Sequence, residues 1–232
     1  MSAHVDTPVM AVPAEATAPA APSAPPDVRA SKLLAVLGLG GVVAGALLVI
    51  VYGLTLPAIE ENRARVLRLA VTEVLKGPAR YDTLYVTGGR LVTKPPDGVD
   101  PKTLEQVYVG YDANDRPVGV AALAGEPGFQ DVITLIVGYD PATKKLLGMK
   151  VLESKETPGL GDKIEKDEKF VAQFSQAPLP LTGVKKGKGG KPGDIDMITG
   201  ATISSRAVIR IINRKLERLR PLVEAYAEGT RR

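Results

Sequence analysis

Residues 194–205 read DIDMITGATISS, a short extended stretch that turns into the last helix of the chain. The turn carries four hydroxyl groups, which belong to Thr199, Thr202, Ser204 and Ser205. Gly200 and Ala201 are small enough to let the backbone approach a bulky ligand. Because the first N–H groups of a helix have no partner inside it and lie at the positive end of its dipole, the turn is suited to bind an anion such as phosphate.

The same turn has a simpler interpretation as a helix N-cap. One Ser or Thr hydroxyl is enough to accept a hydrogen bond from a free N–H group, and Ser204 or Ser205 would serve. The chain contains neither a G-x-x-x-x-G-K-[ST] nor a G-x-G-x-x-G pattern, so the ordinary nucleotide-binding loops lose their support. The choice between a cap and a ligand site therefore depends on the rest of the chain.

The second informative stretch is ETPGLG at residues 156–161. Its proline fixes one φ angle, and Gly159 and Gly161 open the turn on either side of Leu160. Thr157 and Leu160 are therefore displayed on a stiff loop as one polar and one apolar contact. A flat aromatic ligand needs that mixture, although an ordinary surface turn would account for this loop if it stood alone.

Composition excludes or disfavours several kinds of chemistry. The 232 residues include no cysteine and one histidine, His4, which lies in a low-complexity tail. Without cysteine the chain has no disulfides, cysteine nucleophiles, iron–sulfur ligands or thiolate metal sites, and a histidine metal site is not expected to form from His4. Any redox chemistry is therefore expected to use an organic cofactor. Aromatic residues make up only 4% and tryptophan is absent, so we expect no nucleic-acid partner.

The N-terminal part divides into three segments. Residues 1–31 are rich in Ala and Pro and are predicted to be a disordered tail. Residues 32–56 contain an uncharged apolar run of about 24 residues, which as a helix would measure ~36 Å and cross a ~30 Å hydrocarbon core. A cleaved signal peptide is the alternative, but its apolar region usually has only about 7–15 residues. Residues 57–80 show helical periodicity and are predicted to form a stalk.

Residues 81–232 are predicted to form a single mixed α/β domain. Five strands are expected, at residues 84–86, 106–111, 118–122, 132–137 and 146–152. The fold class is therefore α+β, with one N-terminal transmembrane helix and a C-terminal amphipathic helix.

Two helices and a basic loop complete this domain. A short helix is expected around residues 166–174, and a long one over about 205–227, which Pro221 should kink or interrupt. Between them, residues 185–191 read KKGKGGK, which predicts a flexible basic loop. Such a loop either is simply solvated or attracts an acidic partner.

The two motifs together closely resemble the FMN-binding domain of the G subunit of the Rnf ion-translocating electron-transport complex. ETPGLG at residues 156–161 is followed about 40 residues later by TGATIS at residues 199–204, at the head of a helix. Residues 125–130 and the strand after them also resemble that family, and the resemblance covers roughly residues 33–220. The C subunit of the sodium-translocating NADH–quinone reductase shares the domain and is the close alternative, although the tryptophan that it commonly carries is absent here.

The resemblance implies that FMN is held covalently, through a phosphoester on Thr202. It places Thr199, Gly200, Ala201 and Ser204 at the phosphate end of the flavin. The isoalloxazine end falls to Thr157 and Leu160. The other expected cofactor-binding residues belong to the same ETPGLG loop and are Glu156, Gly159 and Gly161.

The resemblance also implies a role, partners and a location. The chain would be the redox subunit of an ion-translocating oxidoreductase and by itself only an electron carrier. Its partners would be the other subunits, a flavin transferase that uses FAD, and the lipid bilayer. It would cross the bacterial inner membrane once, with the C-terminal domain on the exported side, an orientation that the charges flanking the span do not support. An anchored assembly factor without flavin and an anchored flavin reductase remain as other classes.

Overall fold

The computed structural model describes residues 29–230, so the predicted tail lies almost entirely outside the described residues. The chain divides into two compact units, residues 1–56 and 57–232. Helix α1 runs from Ala30 to Val74 with Pro57 inside it. The helix continues through Pro57, although proline has no backbone N–H to donate within the helix.

The described part of the first unit is the apolar portion of α1. An 18-residue window of α1 has a mean hydropathy of 2.7, and none of it is buried. Twelve large apolar side chains from Leu33 to Val51 are exposed, and the exposure of so large an apolar surface to water is unfavourable in free energy. This helix is long and apolar enough to cross a membrane, as the sequence predicts.

The second unit is built on a six-stranded antiparallel sheet in the order β2-β1-β3-β4-β5-β6. Its strands are β1 Arg80–Thr87, β2 Arg90–Val92, β3 Gln106–Tyr111, β4 Pro117–Pro127, β5 Val132–Asp140 and β6 Lys145–Glu153. The remaining elements are α2 Lys163–Lys166, α3 Glu168–Ala172, β7 Thr182–Val184, β8 Asp194–Asp196 and α4 Thr202–Thr230. The five predicted strands are confirmed, and the short strands β2, β7 and β8 are additional.

Successive side chains of a strand point to opposite faces, and runs of consecutive residues in the central strands are buried, so each face of the sheet buries a different set. On one face Val107, Leu135 and Tyr139 pack in the main hydrophobic cluster with the buried stripe of α4. On the other face Tyr108 and Ile136 pack against the last turns of α1, around Ala70, Val71 and Val74. The end of the predicted stalk is therefore part of the core of the second unit.

Two helix predictions need correction. Helix α4 begins at Thr202 and continues without interruption through Pro221 to Thr230, whereas the sequence predicted a start at about residue 205 and a kink or an interruption at Pro221. The buried stripe continues on both sides of the proline through Leu219 and Val223, and this packing compensates for the lost hydrogen bond. The helix predicted at residues 166–174 is two short helices, because the Asp167 carboxylate accepts hydrogen bonds from two backbone N–H groups and begins α3 as a new helix.

Gly138 in β5 gives a stability prediction for the packing of α1 on the sheet. A Cβ at this position would lie 2.5 Å from Val74 Cγ1 and 2.9 Å from the Val74 carbonyl oxygen. We expect Gly138→Ala to lower the free energy of unfolding by about 1–3 kcal/mol, because the backbone of α1 has to move. Thermal unfolding followed by circular dichroism measures the change. Gly125→Ala, whose Cβ would meet only ordinary contacts of 3.4 Å and more, is the control, and equal melting temperatures for both variants would contradict the packing.

Candidate functional site

The two sequence motifs meet at one cavity of about 360 Å³. Of the residues that the structure describes, ten line it: Phe129, Glu156, Thr157, Leu160, Gly161, Gly200, Ala201, Thr202, Ile203 and Ser204. A larger cavity of about 410 Å³ lies along α4 beside Asn213, Arg220 and Glu224, but it contains none of the motif residues. The chemistry suggested by the motifs therefore belongs to the smaller cavity.

Three large apolar side chains are exposed around this cavity. Phe129 is 63% exposed, Leu160 48% and Ile203 53%. They come from three separate parts of the chain, namely the loop before β5, the ETPGLG loop and the first turn of α4. Apolar side chains grouped at a concave surface and left in water are typical of a ligand-binding site.

Glu156 is the buried charge that joins these parts. It is only 5% exposed, and its Oε1 accepts hydrogen bonds from the backbone N–H of Phe129 at 2.8 Å and of Gln130 at 3.1 Å. Its Oε2 accepts a hydrogen bond of 2.5 Å from the Ser204 hydroxyl on α4. One carboxylate therefore ties the Phe129 loop, the ETPGLG loop and the start of α4 together.

The hydrogen bonds decide the charge state of Glu156. Burial alone would raise the pKa of its carboxyl, but the bonds from Ser204 and from the Gln130 and Phe129 N–H groups outweigh burial. The pKa of Glu156 is therefore below its usual value, and the group is an anion at neutral pH. A buried carboxylate with three donors is a well-satisfied group and not an unpaired charge.

Two glycines leave the space that Glu156 occupies. A Cβ at Gly128 would lie 2.4 Å from the Glu156 Oε1, and a Cβ at Gly161 would lie 2.8 Å from its Oε2 and 3.1 Å from the Ser204 Oγ. A second tie lies beside it, because Arg210 of α4 donates hydrogen bonds to the Glu126 carboxylate and to the Pro127 carbonyl. The loop that carries Phe129 is thus linked to α4 at its beginning through Arg210 and in its middle through Glu156 and Ser204.

The start of α4 does not have the N-cap that the sequence suggested. Ser204 and Ser205 both lie inside the first turn, and Ala201 is the residue before the helix. The Ser205 hydroxyl donates to the Ala201 carbonyl at 2.8 Å and accepts from the Ile198 N–H at 3.1 Å. The two serine hydroxyls therefore have other partners, and among the described residues no side chain is seen to accept from the first N–H groups of α4, whose residues line the cavity.

Eight of the ten predicted site residues line the cavity, and Thr199 and Gly159 are not among the lining residues that the structure describes. Gly159 and Gly200 have φ of +76° and +85°, so both turns need glycine at these positions. Thr157 lies beside the Phe129 loop, and its hydroxyl is 3.3 Å from the Gln130 Oε1. Two lining residues, Phe129 and Ile203, were not predicted as site residues. Ile203 could have been found, because it is a large apolar residue that lies outside the buried stripe of α4.

Comparison with known proteins agrees with this geometry. Residues 128–217 match the family model of the FMN-binding domain. The G subunit of the ion-translocating oxidoreductase complex from Methanosarcina acetivorans is 31% identical over 179 residues, which cover 77% of this chain and 88% of that protein. The corresponding protein from Aliivibrio fischeri is 31% identical, with coverage of 77% and 85%, and that from Escherichia coli K12 is 37% identical, with coverage of 58% and 65%.

A solved structure shares the fold. The crystal structure of Shewanella oneidensis NqrC superposes with a TM-score of 0.56 and covers 66% of this chain and 91% of that one. At 18% identity this likeness shows the fold alone, so it does not favour the NADH–quinone reductase alternative. The sequence relatives decide the family, and the matched domain identifies FMN as the cofactor. The chain belongs to the family of G subunits of ion-translocating oxidoreductase complexes.

Proposed function

We propose that this chain is a membrane-anchored electron carrier of an ion-translocating oxidoreductase complex, with FMN attached through a phosphoester to Thr202. The observation that carries the proposal is the position of Thr202. It is the first residue of α4, it is partly exposed, and it lines the cavity in which both motifs meet. A hydroxyl at this position can be reached from solvent and lies beside free N–H groups.

The cavity suits FMN in size and in chemistry. A volume of about 360 Å³ falls within the usual range of small-molecule sites, roughly 300–1,000 Å³. Phe129, Leu160 and Ile203 offer apolar contacts for the faces of the ring system, and Thr157 offers a hydroxyl for its edge. Exposed apolar side chains at a cavity without an apolar ligand would be costly, so their presence supports a flat aromatic occupant.

The start of α4 suits the phosphate. The backbone N–H groups of Thr202, Ile203 and Ser204 belong to the first turn, where no helical carbonyl reaches them. A phosphodiester keeps one negative charge, which the helix N-terminus stabilises by roughly 0.3–1 kcal/mol. Because the Ser204 hydroxyl donates to Glu156, Ser204 acts on the phosphate end through its backbone and by keeping Glu156 in place.

The attachment reaction would be a transfer of FMN from FAD by a flavin transferase. The Thr202 oxygen forms a bond to the phosphorus of the FMN moiety, the bond to the AMP phosphate breaks, and AMP leaves while the hydroxyl proton passes to solvent or to the transferase. A covalent bond prevents loss of the cofactor by dissociation. This property suits a domain that stands on the exported side of the membrane, where we place residues 57–232.

The bound flavin supplies one-electron chemistry, and the protein supplies position. Glu156 fixes the two loops around the ring, the glycines of both turns allow their close approach, and α1 holds the domain at the membrane. Turnover would depend on the other subunits of the complex, which exchange electrons with this flavin.

The proposal is tested by the intact mass of the full chain. The chain is produced and exported in cells with a flavin transferase and in cells without one. Reduction of the bound flavin is followed by its visible absorbance. We expect one added FMN less one water, only with the transferase, and reversible bleaching by dithionite. A chain that stays at its unmodified mass, while the transferase modifies a known substrate in the same cells, would leave an anchored binding protein without flavin.

The apolar contacts give a separate prediction. Leu160→Ala and Ile203→Ala are expected to leave FMN attached to Thr202 but to expose its ring to water, because each change removes an apolar wall of the cavity. The quenching constant of flavin fluorescence by iodide should rise about two- to fivefold, as expected for lost burial. Val99→Ala, which shortens another exposed apolar side chain, is the control. Unchanged quenching in both site variants would contradict the assigned ring position.

A further inference from the structure

The basic loop at residues 185–191 has no role in the flavin site, although it contains four lysines in seven residues. All four are exposed, and within residues 29–230 none of their ammonium groups forms an ion pair. Ten ion pairs occur elsewhere in the described chain, so other basic side chains of this protein do have carboxylate partners. Here four positive charges face solvent together.

Hydrogen bonds from the backbone of the loop to two aspartates shape the segment that the sequence predicted to be a flexible basic loop. Asp194 accepts from the N–H groups of Gly190 at 3.1 Å and of Lys191 at 2.9 Å, and Asp196 accepts from Gly187 at 3.0 Å. Both aspartates belong to β8, which pairs in parallel with β7 at the other end of the loop. The carboxylates accept from the backbone of the loop and form no ion pair with its lysines, although Lys191 helps to lower the pKa of Asp194.

The loop lies near the proposed flavin. Asp196, which holds the loop, is six residues before Thr202, and six residues of chain span at most about 20 Å. The segment between them is fixed, because the N–H of Ile198 donates to Ser205 in the first turn of α4. Because the Gly187 N–H donates to Asp196, a protein that docks on the lysines beside Gly187 has its contact surface within roughly 25 Å of Thr202.

We propose that residues 185–191 are a docking surface for the acidic face of the protein that exchanges electrons with this chain. The proposal rests on the electron-carrier function given above. Electron-transfer encounters bury little surface and rely on complementary charge to raise the association rate, and four lysines without ion pairs in the same domain as the flavin provide that charge. Lysine suits a transient contact, because its ammonium group is strongly hydrated and adapts to several partners.

A membrane surface is the competing occupant and fits less well. Between Lys185 and Gly193 the loop contains only lysine, glycine and one proline. It has no aromatic or bulky apolar side chain that would enter the interface beside the lysines. A lipid headgroup also gives no reason for the loop to be tied to the strand that leads into Thr202, whereas a redox partner does.

The test uses membranes that contain the assembled complex with the full chain. A carbodiimide that joins amines directly to carboxylates is expected to link the loop lysines to Asp or Glu of another subunit, as mapped by mass spectrometry. This arm needs no flavin, and intact mass reports the FMN adduct separately, so failure of docking and failure of the electron-carrier proposal are distinguishable. Loop lysines that form no such cross-link, while other lysines of the chain do, would overturn the proposal.

The second arm measures how fast the Thr202 flavin is reduced by its complex as salt is varied. One variant replaces the loop lysines by glutamine: Lys185→Gln, Lys186→Gln, Lys188→Gln and Lys191→Gln. The control replaces four other exposed lysines: Lys94→Gln, Lys102→Gln, Lys163→Gln and Lys169→Gln. We expect about tenfold slower reduction for the loop variant at roughly 20 mM salt, less than a twofold difference at about 0.5 M, and a control within about twofold.

Several results would overturn the docking proposal. Equal rates at low salt would do so, and so would a loss that salt does not change. A lipid role would appear as binding to vesicles of phosphatidylglycerol and phosphatidylcholine that is weaker in the loop variant while flavin reduction is unaffected. The double change Lys185→Gln and Lys186→Gln, which leaves two lysines in place, should give an intermediate rate if charge and not folding is responsible.

Discussion

Replacing Thr202 by valine is expected to abolish covalent FMN attachment and, with it, electron transfer through this protein. Valine has nearly the shape of threonine but no oxygen to bond to phosphorus, so the first turn of α4 is preserved while the reaction becomes impossible. The chain is produced with a flavin transferase, separated under denaturing conditions and viewed under ultraviolet light. The wild-type band should fluoresce, and the Thr202→Val band should be dark, a loss of more than about 100-fold, as for removal of a nucleophile.

Thr199→Val is the matched control for this experiment. Thr199 belongs to the same motif and is exposed, but it does not line the cavity among the described residues. We expect its flavin band to remain within about threefold of wild type, since only positioning is disturbed. A dark Thr199→Val band beside a bright Thr202→Val band would move the attachment site and contradict the assignment.

Glu156→Ala is expected to have the largest effect on stability among substitutions at the site. It removes the acceptor of three hydrogen bonds, from Ser204, Phe129 and Gln130, and leaves those donors around a small void. Unsatisfied buried donors of this kind cost about 2–4 kcal/mol in total. Urea unfolding of the full chain in detergent measures the loss. Glu165→Ala, at an exposed glutamate of α2, should stay within about 0.5 kcal/mol.

The charge of Glu156 makes part of this stability dependent on pH. The pKa of Glu156 is lower in the folded protein than its ordinary value of 4.5, so the folded state favours the carboxylate. Its contribution is therefore fully present above about pH 4.5 and is lost as the pH falls through the lower, folded-state pKa. The stability difference between wild type and Glu156→Gln should shrink from neutral pH to about pH 3. A difference that stays constant would mean that Glu156 acts through shape and not through charge.

Much of the sheet could be predicted from local patterns. Strand β3 is predicted over Gln106–Tyr111, as observed, because a short run rich in valine and tyrosine lies between turn signals. Strands β2, β7 and β8 have three residues each, too few for a periodicity to be recognised. The interruption of α4 that was one expectation for Pro221 is absent for a related reason. Whether Pro57 or Pro221 ends a helix depends on packing and environment on both sides, which local propensity does not contain.

The candidate site was predictable in its motifs but not in its assembly. Both motifs indicated a ligand-binding site from sequence alone. Thr202 stands at a glycine-containing turn before a helix, and Leu160 is an apolar residue between two glycines of a loop. The contribution of Phe129 depends on a contact between residues 27 positions apart, through which its N–H donates to Glu156. The N-cap prediction failed because Ser204 and Ser205 have other partners, which lie in distant loops or in the turn itself. Such partners are decided by tertiary structure.

The central claim is tested most directly by locating the flavin on the wild-type chain. The full protein is purified from membranes with its complex, digested, and the peptide that contains residues 199–206 is sequenced by tandem mass spectrometry. The account predicts one FMN, less one water, on Thr202, with Thr199, Ser204 and Ser205 unmodified. FMN on another of these hydroxyls, or an unmodified peptide from a complex that is active in electron transfer, would contradict it.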